Sequence, residues 1–393
     1  MSKIKVYSEI GKLNTVLIHR PGKEIENLTP DLLERLLFDD IPFLKVAQEE
    51  HDKFAATLKE NGVNVLYIEV LMAETLDQHP ELRDEFIDKF ISEAKVDAAW
   101  TDRYRAYIAK MSNLDMVKEM IGGTMKIDLD ENNKEEYPFI TDPLPNILFQ
   151  RDPFASAGEG IVLNHMWSVT RNRETIFPEY VFKHHNDFAG EVPFWYNRED
   201  NSHIEGGDVM VLNEDTLVIG ISQRTEMKAV EKLAKVVLAK DKFKQIIALD
   251  LPKSRAYMHL DTVFTNIDHD KFIAHPLIFD DMDKFKVYKV TAEKTELINK
   301  PLADVLEDLI GKTPIIIRCG GNDPIAAGRE QWNDGTNVLT IKPGVVIAYE
   351  RNWKTISLLK EAGVTVYTIP SSELSRGRGG PRCMSMPLDR DKA

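Results

Sequence analysis

The sequence predicts an α/β protein in which repeated helix-to-strand units surround a shared centre. Three features support this prediction: two segments resemble each other, polar residues recur at a regular interval, and one charged stretch interrupts the pattern. The chain has 393 residues, of which 43% are hydrophobic, so it is long enough to bury a core in one large or two ordinary domains.

Two segments near opposite ends of the chain share a pattern of helix end, glycine and strand. Residues 56–68 read ATLKENGVNVLYI and residues 357–369 read SLLKEAGVTVYTI, and the two agree at seven of thirteen positions. The glycine suits the position that follows a helix, and the β-branched residues after it are typical of a strand. A looser third copy, EKLAKVVLAKDKFKQIIALDLP, occupies residues 231–252. We therefore predict internal repeats of one helix-to-strand unit.

Polar residues recur at a fixed spacing in the middle of the chain. Arg171 follows Asp152 by 19 positions, and Arg224 follows Glu205 by the same 19. The two pairs are offset by 53 positions, and His259 lies 54 positions beyond Glu205. Units of roughly fifty to sixty residues, each delivering one polar residue from an equivalent strand position, explain this spacing and predict that these residues face one site.

The spacing extends to a cysteine near the C-terminus. Cys383 lies 124 positions beyond His259, or two steps of 62, within the run RGRGGPRCMSMPL. The chain has two cysteines and its opening lacks an apolar leader, which indicates a reducing, cytoplasmic location where thiols stay free. We interpret Cys319 as a structural thiol, whereas Cys383 is either a buried bystander or a reactive thiol.

A highly charged stretch, residues 71–138, breaks the α/β pattern. Its apolar residues have helical spacing, as at Leu82, Phe86 and Phe90, and a pair of glycines marks a stop. The acidic tail that begins at Asp128 lacks the glycine and the glutamate that a calcium loop needs at its sixth and twelfth positions. We predict a small helical insertion that ends in a solvated acidic loop.

The charge of the chain limits its partners. Fifty Lys and Arg residues stand against 64 Asp and Glu residues, for a formal net charge of -14. This field disfavours nucleic acid and anionic membrane surfaces, and no apolar run approaches the roughly 18 residues of a membrane span. A cationic or zwitterionic small molecule is the expected partner.

Four short stretches concentrate the groups that could carry chemistry. Taken singly, each has a structural explanation, such as a turn, a hairpin corner, a core histidine or a small buried thiol. Because they recur at the repeat spacing, we expect them to converge on a thiol, an imidazole and several carboxylates. Such carboxylates need a buried cation, either a metal or a guanidinium. The stretches are FQRDPFAS (149–156), SHIEGGDVMVL (202–212), MHLDTVFT (258–265) and RGRGGPRCMSMPL (376–388).

The metal alternative rests on two His-x-acid pairs, which begin at His203 and His259. A zinc deaminase requires H-x-E followed by P-C-x-x-C. Here Arg382 separates the proline from Cys383, and Met386 stands where the second thiol ligand belongs. We therefore predict no metal site.

The guanidinium alternative accounts for the remaining charges. Carboxylates bind a planar guanidinium in bidentate geometry, which suits Asp152 and Asp261. An amino acid's own carboxylate is best bound by arginines, which suits Arg171, Arg224 and Arg378. The interpretation therefore favours a ligand with a guanidinium at one end and a carboxylate at the other.

The same groups suit covalent chemistry on a guanidinium. Its carbon is a weak electrophile, for which a thiolate is the most suitable side-chain nucleophile. Cys383 then attacks, His259 moves protons, and Glu205 holds the imidazole. The glycines around Arg378 would let the terminal loop close over the ligand as a lid.

Six motifs together, LIHRPGKE, FxRDPFA, IEGGD, MHLDTVFT, REQWNDGTN and RGRGGPRCMSMPL, resemble the arginine deiminase family nearly end to end. The resemblance implies a five-module α/β propeller of the pentein type, with pseudo-fivefold symmetry. It places the catalytic domain at residues 1–70 and 139–393 and the small helical insertion at residues 71–138. The insertion is short for the family, and we expect a homo-oligomer, most simply a homodimer.

The resemblance also implies hydrolysis of L-arginine to L-citrulline and ammonia, as in arginine catabolism, without a metal or an organic cofactor. Cys383 would form a covalent amidino intermediate, His259 would protonate ammonia and then activate water, and Glu205 would orient the imidazole. Asp152 and Asp261 would clamp the guanidinium. The residues implied at the amino acid end of the substrate are Arg171, Arg224, Arg378, Asn146 and Gly377.

Related functions would use the same groups. Agmatine deiminase, a dimethylarginine hydrolase and an amidinotransferase remain alternatives, although agmatine lacks the carboxylate that the arginines would bind and a transferase needs a second amine site. A non-catalytic arginine sensor is an alternative of another class. A sensor has no need for a thiol and a proton shuttle, so the sequence favours the enzyme.

Overall fold

The strands form several small sheets. The computed structural model of the chain describes residues 4–280 and 285–393, so that residues 1–3 and 281–284 of the predicted catalytic domain, and the side chains of residues 279 and 280, lie outside the description. Five sheets within it each contain an antiparallel pair followed by a parallel third strand. The strands of these sheets, each sheet in its order of pairing, are β19 (Met386–Arg390), β1 (Leu13–Ile18) and β2 (Asn64–Tyr67); β5 (Phe154–Ala157), β6 (Gly160–Leu163) and β7 (Phe194–Tyr196); β8 (Val209–Asn213), β9 (Thr216–Ile221) and β10 (Gln245–Asp250); β11 (Phe264–Asn266), β12 (Lys271–Ala274) and β15 (Ile315–Arg318); and β16 (Leu339–Lys342), β17 (Val345–Tyr349) and β18 (Thr365–Ile369).

Two departures from this plan involve the remaining strands. An antiparallel pair, β13 (Val287–Val290) and β14 (Thr295–Ile298), extends the sheet of β10 at its edge. A separate two-stranded sheet joins β3 (Thr124–Met125) to β4 (Phe139–Thr141). The fold is therefore mixed α/β, as the sequence predicts.

Helices connect the second strand of each of the five sheets to the third. A parallel pair needs such a crossover, because its two strands run in the same direction. The connecting helices are α1 (Lys23–Glu26), α2 (Leu33–Leu36) and α3 (Leu44–Glu60); α9 (Val169–Asn172) and α10 (Ile176–His184); α11 (Met227–Lys240); α12 (Pro276–Asp280) and α13 (Leu302–Ile310); and α15 (Trp353–Glu361). A further helix, α14 (Pro324–Trp332), lies between β15 and β16.

The predicted repeats are confirmed as helix-to-strand units. Helices α3, α11 and α15 lead into β2, β10 and β18, which are the parallel third strands of their sheets. Gly62 and Gly363 follow α3 and α15 with φ of 78° and 80°. Only glycine adopts this left-handed conformation without strain, which explains why both copies share it.

The predicted helical insertion forms a group of helices between β2 and β4. Phe86 and Phe90 are fully buried and pack edge-on against Phe177 of α10, and Phe86 also contacts Tyr180. Burial of each such ring contributes about 1.5–3 kcal/mol to stability. The helices of this insertion and the sheet of β5 share one hydrophobic core. The helices are α4 (Ile68–Gln78), α5 (Arg83–Glu93), α6 (Ala98–Ile108), α7 (Asn113–Gly122) and α8 (Lys126–Leu129).

One polar residue precedes the first strand of each of the five sheets by two to five positions. Each of these residues therefore lies in the turn that leads into the first strand of its sheet. The residues are Asp152 before β5, Glu205 before β8, His259 before β11, Asn337 before β16 and Cys383 before β19. Across the described helices, none has the length and apolar character that crossing a membrane requires.

Candidate active site

Cys383 lies at the centre of the converging turns. Its backbone N–H donates to Oδ1 of Asn337 at 2.9 Å, and its Sγ lies 3.6 Å from Oδ2 of Asp261. Burial, together with the carboxylates of Asp261, Asp152 and Asp334, raises the pKa of the thiol well above its usual value. Cys383 is therefore a neutral thiol at rest, and a cation beside it would favour its ionisation.

The imidazole of His259 is buried between two carboxylates. Its Nε2 lies 2.8 Å from Oε2 of Glu205, and its Nδ1 lies 3.8 Å from Oδ1 of Asp152. Burial alone would lower the pKa of His259, but Asp152 and the hydrogen bond to Glu205 outweigh it and raise the pKa to about 9. A Cβ on Gly207 would come within 2.5 Å of Nδ1, so this glycine lets the chain pass beside the ring. The imidazole is thus a proton donor at neutral pH.

Glu205 is an ionised carboxylate that several donors hold in place. Its Oε2 lies 3.4 Å from Nη1 of Arg224, and its Oε1 accepts the N–H of Trp167 at 3.0 Å. Burial would raise its pKa, but Arg224 and His259 outweigh that effect and keep the pKa well below the usual range. The carboxylate beside the imidazole is therefore ionised at neutral pH.

Each of two buried aspartates has one oxygen engaged and one oxygen free. Asp152 accepts Nη1 of Arg171 on Oδ2 at 3.0 Å, and Asp261 accepts Nη1 of Arg382 on Oδ2 at 2.8 Å. Among the described residues, Oδ1 of Asp152 and Oδ1 of Asp261 have no hydrogen-bond partner. Leaving a buried acceptor unpaired costs about 1–3 kcal/mol, so two beside Cys383 indicate a ligand with N–H donors.

Arg171 is fully engaged by protein groups. Its Nε and Nη2 donate to Glu174 at 3.0 and 2.8 Å, its Nη1 donates to Asp152, and its Nη2 lies 3.5 Å from the carbonyl oxygen of Asn146. Burial would lower the pKa of Arg171, but Glu174 and Asp152 outweigh it and raise the pKa. In this arrangement Arg171 fixes Asp152 beside the imidazole.

Arg378 has the opposite character. It is 4% exposed, and within the described parts of the chain its Nε, Nη1 and Nη2 have no hydrogen-bond partner. Its guanidinium carbon lies 3.5 Å from the ring centroid of Trp332, and its backbone is left-handed, with φ of 58°. Arg224 also lies over an aromatic ring, with its guanidinium carbon 4.8 Å from the ring centroid of Trp167. The N–H edge of Arg378 is therefore available to an anion.

Asn146 and Gly377 lie beside the same pocket. Asn146 donates from Nδ2 to the carbonyl oxygen of Leu36 at 2.6 Å, which fixes its side chain. A Cβ on Gly377 would come within 2.5 Å of the ring of Phe38. The close packing of this terminal loop explains why it contains glycine.

The pocket is nearly closed, with a cavity volume of about 20 Å³, which is about enough for one water molecule. Eight of the ten predicted site residues line it, and Glu205 and Asp261 contact the lining residues His259 and Cys383 from behind. The lining residues are Leu37, Asn146, Phe149, Asp152, Arg171, Arg224, Met258, His259, Thr262, Gly377, Arg378 and Cys383.

One group of side chains in the site has the donor atoms of a metal centre. Ligand atoms of Asp152, Glu205 and His259 all lie within 4.8 Å of one another. Arg171 and Arg224 already lie against the two carboxylates, at 3.0 and 3.4 Å, and compensate their charge. The prediction that the site needs no metal stays a prediction.

Two residues that organise the site were not predicted from the sequence. Asn337 bridges two parts of it, since it accepts from Cys383 and donates from Nδ2 to the carbonyl oxygen of Asp261 at 3.3 Å. Arg382 is fully buried and donates to Oε1 of Glu9 at 2.7 Å as well as to Asp261. Both stand in motifs that the sequence shows, REQWNDGTN and GGPRC.

Cys319 contrasts with Cys383. Burial raises the pKa of its thiol to about 12, and its Sγ lies 3.5 Å from Oγ1 of Thr355, away from the pocket. The position agrees with a structural thiol.

Solved structures with a similar fold belong to the pentein superfamily. An amidinotransferase of saxitoxin biosynthesis from Microseira wollei aligns over 100% of this chain and 98% of its own, with a TM-score of 0.56 at 15% identity. The N-terminal domain of a cyanobacterial arginine dihydrolase, bound to product, aligns over 96% and 97%, with a TM-score of 0.55 at 14% identity. A dimethylarginine dimethylaminohydrolase aligns over 95% and 99%, with a TM-score of 0.53 at 15% identity. At these identities the likeness concerns the fold.

Sequence comparison is more specific. The family model for arginine deiminase matches residues 34–390. The arginine deiminase of Mycoplasma capricolum subsp. capricolum is 62% identical over 394 residues, which cover 99% of this chain and 98% of the relative. That of Clostridium perfringens is 51% identical, again over 99% and 98% of the two chains. The chain therefore belongs to the arginine deiminase family.

Proposed function

We propose that the chain hydrolyses L-arginine to L-citrulline and ammonia through a covalent amidino intermediate on Cys383. This makes it a hydrolase of a C–N bond in a linear amidine. The observation that carries the mechanism is the pair of unpaired buried carboxylate oxygens, on Asp152 and Asp261, that flank the thiol and the imidazole of His259.

The guanidinium binds first. Its N–H groups donate to Oδ1 of Asp152 and Oδ1 of Asp261, while Arg171 and Arg382 keep the other carboxylate oxygens engaged. Charge-assisted bonds of this kind are roughly twice as strong as neutral ones. The clamp therefore holds the guanidinium carbon beside Sγ of Cys383.

Binding activates the nucleophile. Burial and three carboxylates raise the pKa of the Cys383 thiol at rest, and the arriving guanidinium places a positive charge against it. The thiol releases its proton to solvent as the guanidinium binds, and the thiolate forms a C–S bond to the guanidinium carbon. The imidazolium of His259 gives its proton to the departing nitrogen, so that the C–N bond breaks and ammonia leaves.

The second half of the reaction reverses the proton flow. The imidazole of His259 is now neutral and accepts a proton from water, whose oxygen bonds to the amidino carbon. The C–S bond then breaks, the proton of the new hydroxyl passes to the departing sulfur and restores the Cys383 thiol, and citrulline is released. Glu205 holds the imidazole through both halves and favours its charged form.

The amino acid end of the substrate lies toward the terminal loop. Arg378 offers an unpaired N–H edge to the carboxylate, and Arg224 lies close by with an unpaired Nε. Asn146 and Gly377 line the same region. Arg171 contributes in this proposal mainly by holding Asp152, because Glu174 uses the rest of its N–H groups.

The proposal extends to the architecture and setting of the enzyme. The five sheets with equivalent turns are the five modules of an α/β propeller, and residues 71–138 are an insertion between the first module and the rest of the catalytic domain, residues 1–70 and 139–393. The enzyme acts as a homodimer in the cytoplasm, without a cofactor. Two free cysteines and a net charge of -14 support that setting.

The test is a coupled assay of citrulline and ammonia. The purified chain should form the two products in equal amounts from L-arginine. Cys383→Ser should abolish both, whereas Cys319→Ser, the matched thiol control, should retain them. Arg378→Ala should raise KM for L-arginine, whereas its binding and turnover of agmatine should match those of the unsubstituted chain. Turnover of agmatine in preference to arginine, or no citrulline at all, would overturn the proposal.

A further inference from the structure

We propose that Trp332 is a positioning residue that holds Arg378 for the substrate carboxylate and so sets selectivity for guanidines that carry one. The inference deepens the proposed function, because it rests on the role given there to Arg378. It starts from the way in which a buried guanidinium is held without any hydrogen bond.

The guanidinium of Arg378 lies over an aromatic ring. Its Cζ is 3.5 Å from the ring centroid of Trp332, the closest cation–π contact described in the structure. Such a contact uses the face of the guanidinium and leaves its N–H edge untouched. The side chain is buried, with 4% of its surface exposed. Even so, Nε, Nη1 and Nη2 have no hydrogen-bond partner in residues 4–280 and 285–393.

A hydrogen-bonded partner would serve a receptor for carboxylate poorly. Arg171 shows the consequence, since Glu174 and Asp152 occupy its N–H groups and a substrate carboxylate would have to displace them. An aromatic face restrains the planar guanidinium and leaves its N–H groups free to bind a carboxylate. The contact with the ring therefore restrains Arg378 without occupying the N–H groups that an ion pair would use.

The surrounding charges keep Arg378 cationic without pairing with it directly. Burial lowers the pKa of Arg378, as does Arg255, while Asp334 and Asp39 act in the opposite direction. Asp39 is itself paired with Arg255, whose Nε donates to it at 2.8 Å. Within the described chain, the contact that fixes the orientation of Arg378 is therefore the one with Trp332.

The backbone at this point needs such support. Arg378 is left-handed, with φ of 58° and ψ of 57°, a conformation that costs a non-glycine residue free energy. It follows a short 3-10 turn, Leu374–Gly377, and precedes two glycines. Trp332 is the last residue of α14 and is 49% exposed, so it covers the site from a rigid helix.

The experiment measures steady-state kinetics of Trp332→Leu, Trp332→Phe and Trp353→Ala with L-arginine, and the inhibition constant of agmatine against arginine. Trp353 is the matched control, because it begins the neighbouring helix α15, is 70% exposed, and has no arginine over its ring in the described residues. Circular dichroism melting of each variant measures whether the fold is retained.

Trp332→Leu should raise KM for L-arginine roughly threefold to thirtyfold, the range of one cation–π contact, with kcat within about twofold. Trp332→Phe should bring KM for L-arginine most of the way back to the unsubstituted value, and Trp353→Ala should match the unsubstituted chain. The inhibition constant of agmatine should be the same for the unsubstituted chain and the three variants. An unchanged KM in Trp332→Leu, or an equal weakening for agmatine, would overturn the inference.

The controls separate this inference from the proposed function beneath it. If Arg378→Ala also leaves KM for L-arginine unchanged, the carboxylate role of Arg378 is wrong. If Arg378→Ala raises KM and Trp332→Leu does not, only the role of Trp332 is wrong.

Discussion

Replacing Glu205 by glutamine is the sharpest perturbation of the proton-transfer machinery. The substitution keeps the shape of the side chain and removes the charge that lies 2.8 Å from Nε2 of His259. At an effective dielectric constant of about 20, two charges at that distance attract by about 6 kcal/mol, equivalent to about four pKa units. This is an upper limit on the change in the pKa of His259.

The expected change is smaller because other carboxylates remain. Asp152 is the largest contributor that raises the pKa of His259 to about 9, and Asp208 also contributes. We expect the loss of Glu205 to lower the pKa by roughly one to three units. A fall of about two units would reduce the charged fraction at pH 8 from about 90% to about 10%.

The assay is the pH dependence of kcat/KM between pH 5 and 10, followed by citrulline formation. In the unsubstituted chain the alkaline limb should reflect the pKa of His259 near 9, because the imidazolium is the proton donor. In Glu205→Gln that limb should move toward neutral pH. The control is Glu226→Gln, which removes a half-exposed carboxylate 3.7 Å from the surface imidazole of His203.

The same pKa links folding stability to pH. Because the pKa of His259 rises from 6.5 to about 9 on folding, the imidazolium stabilises the fold fully below pH 6.5 and loses that contribution as pH rises through 9. Urea denaturation should show Glu205→Gln losing part of this pH dependence. An alkaline limb that stays in place, with only the amplitude of the profile reduced, would refute the reasoning.

Four further substitutions test separate parts of the structure. Gly379→Ala should reduce kcat/KM at least roughly tenfold, because a Cβ there overlaps the ring of Phe149 and displaces the terminal loop, which kinetics would detect. Gly328→Ala, in helix α14 with no atom within 4 Å of the new Cβ, should instead raise the unfolding free energy in urea by up to about 1 kcal/mol. Arg382→Met should lower that free energy by about 3–5 kcal/mol, because two buried carboxylates lose their partner; an unchanged urea midpoint would contradict this. Cys319→Ala should keep kcat within about twofold, and iodoacetamide should inactivate it as it does the unsubstituted chain, because the Cys319 thiol has a pKa of about 12 and does not react.

The repeats explain why much of the site could be predicted from sequence. The interval of 19 residues between Asp152 and Arg171, and between Glu205 and Arg224, corresponds to real contacts of 3.0 and 3.4 Å. The same turn occurs ahead of equivalent strands, so equal spacing along the chain becomes equal position in space. His259 follows the same rule and reaches Glu205.

The rule fails where the units differ in length. Asn337 lies 78 positions after His259 and 46 before Cys383, because an extra strand pair and an extra helix separate the first two. An asparagine amide does not by itself indicate a catalytic residue, so Asn337 could have been predicted from the repeat spacing, and the spacing is irregular here. The ion pair of Arg382 with Glu9 spans 373 positions, and no local pattern reports a contact of that kind.

Side-chain orientation could not be predicted either. Arg171 and Arg378 look equivalent in the sequence, but Glu174 turns the first toward the protein and Trp332 leaves the second free. Which arginine offers its edge to a ligand depends on packing between separate units, and that packing appears only in the folded chain.

Intact-mass spectrometry of the enzyme, quenched in acid during L-arginine turnover, tests the central claim most directly. The account predicts a transient species heavier than the free chain by arginine less ammonia, mapped by peptide analysis to Cys383 and absent in Cys383→Ser. His259→Ala should lack that adduct and lose citrulline formation, because no imidazolium then protonates the departing nitrogen. Steady citrulline production with no adduct on Cys383 would contradict the covalent mechanism.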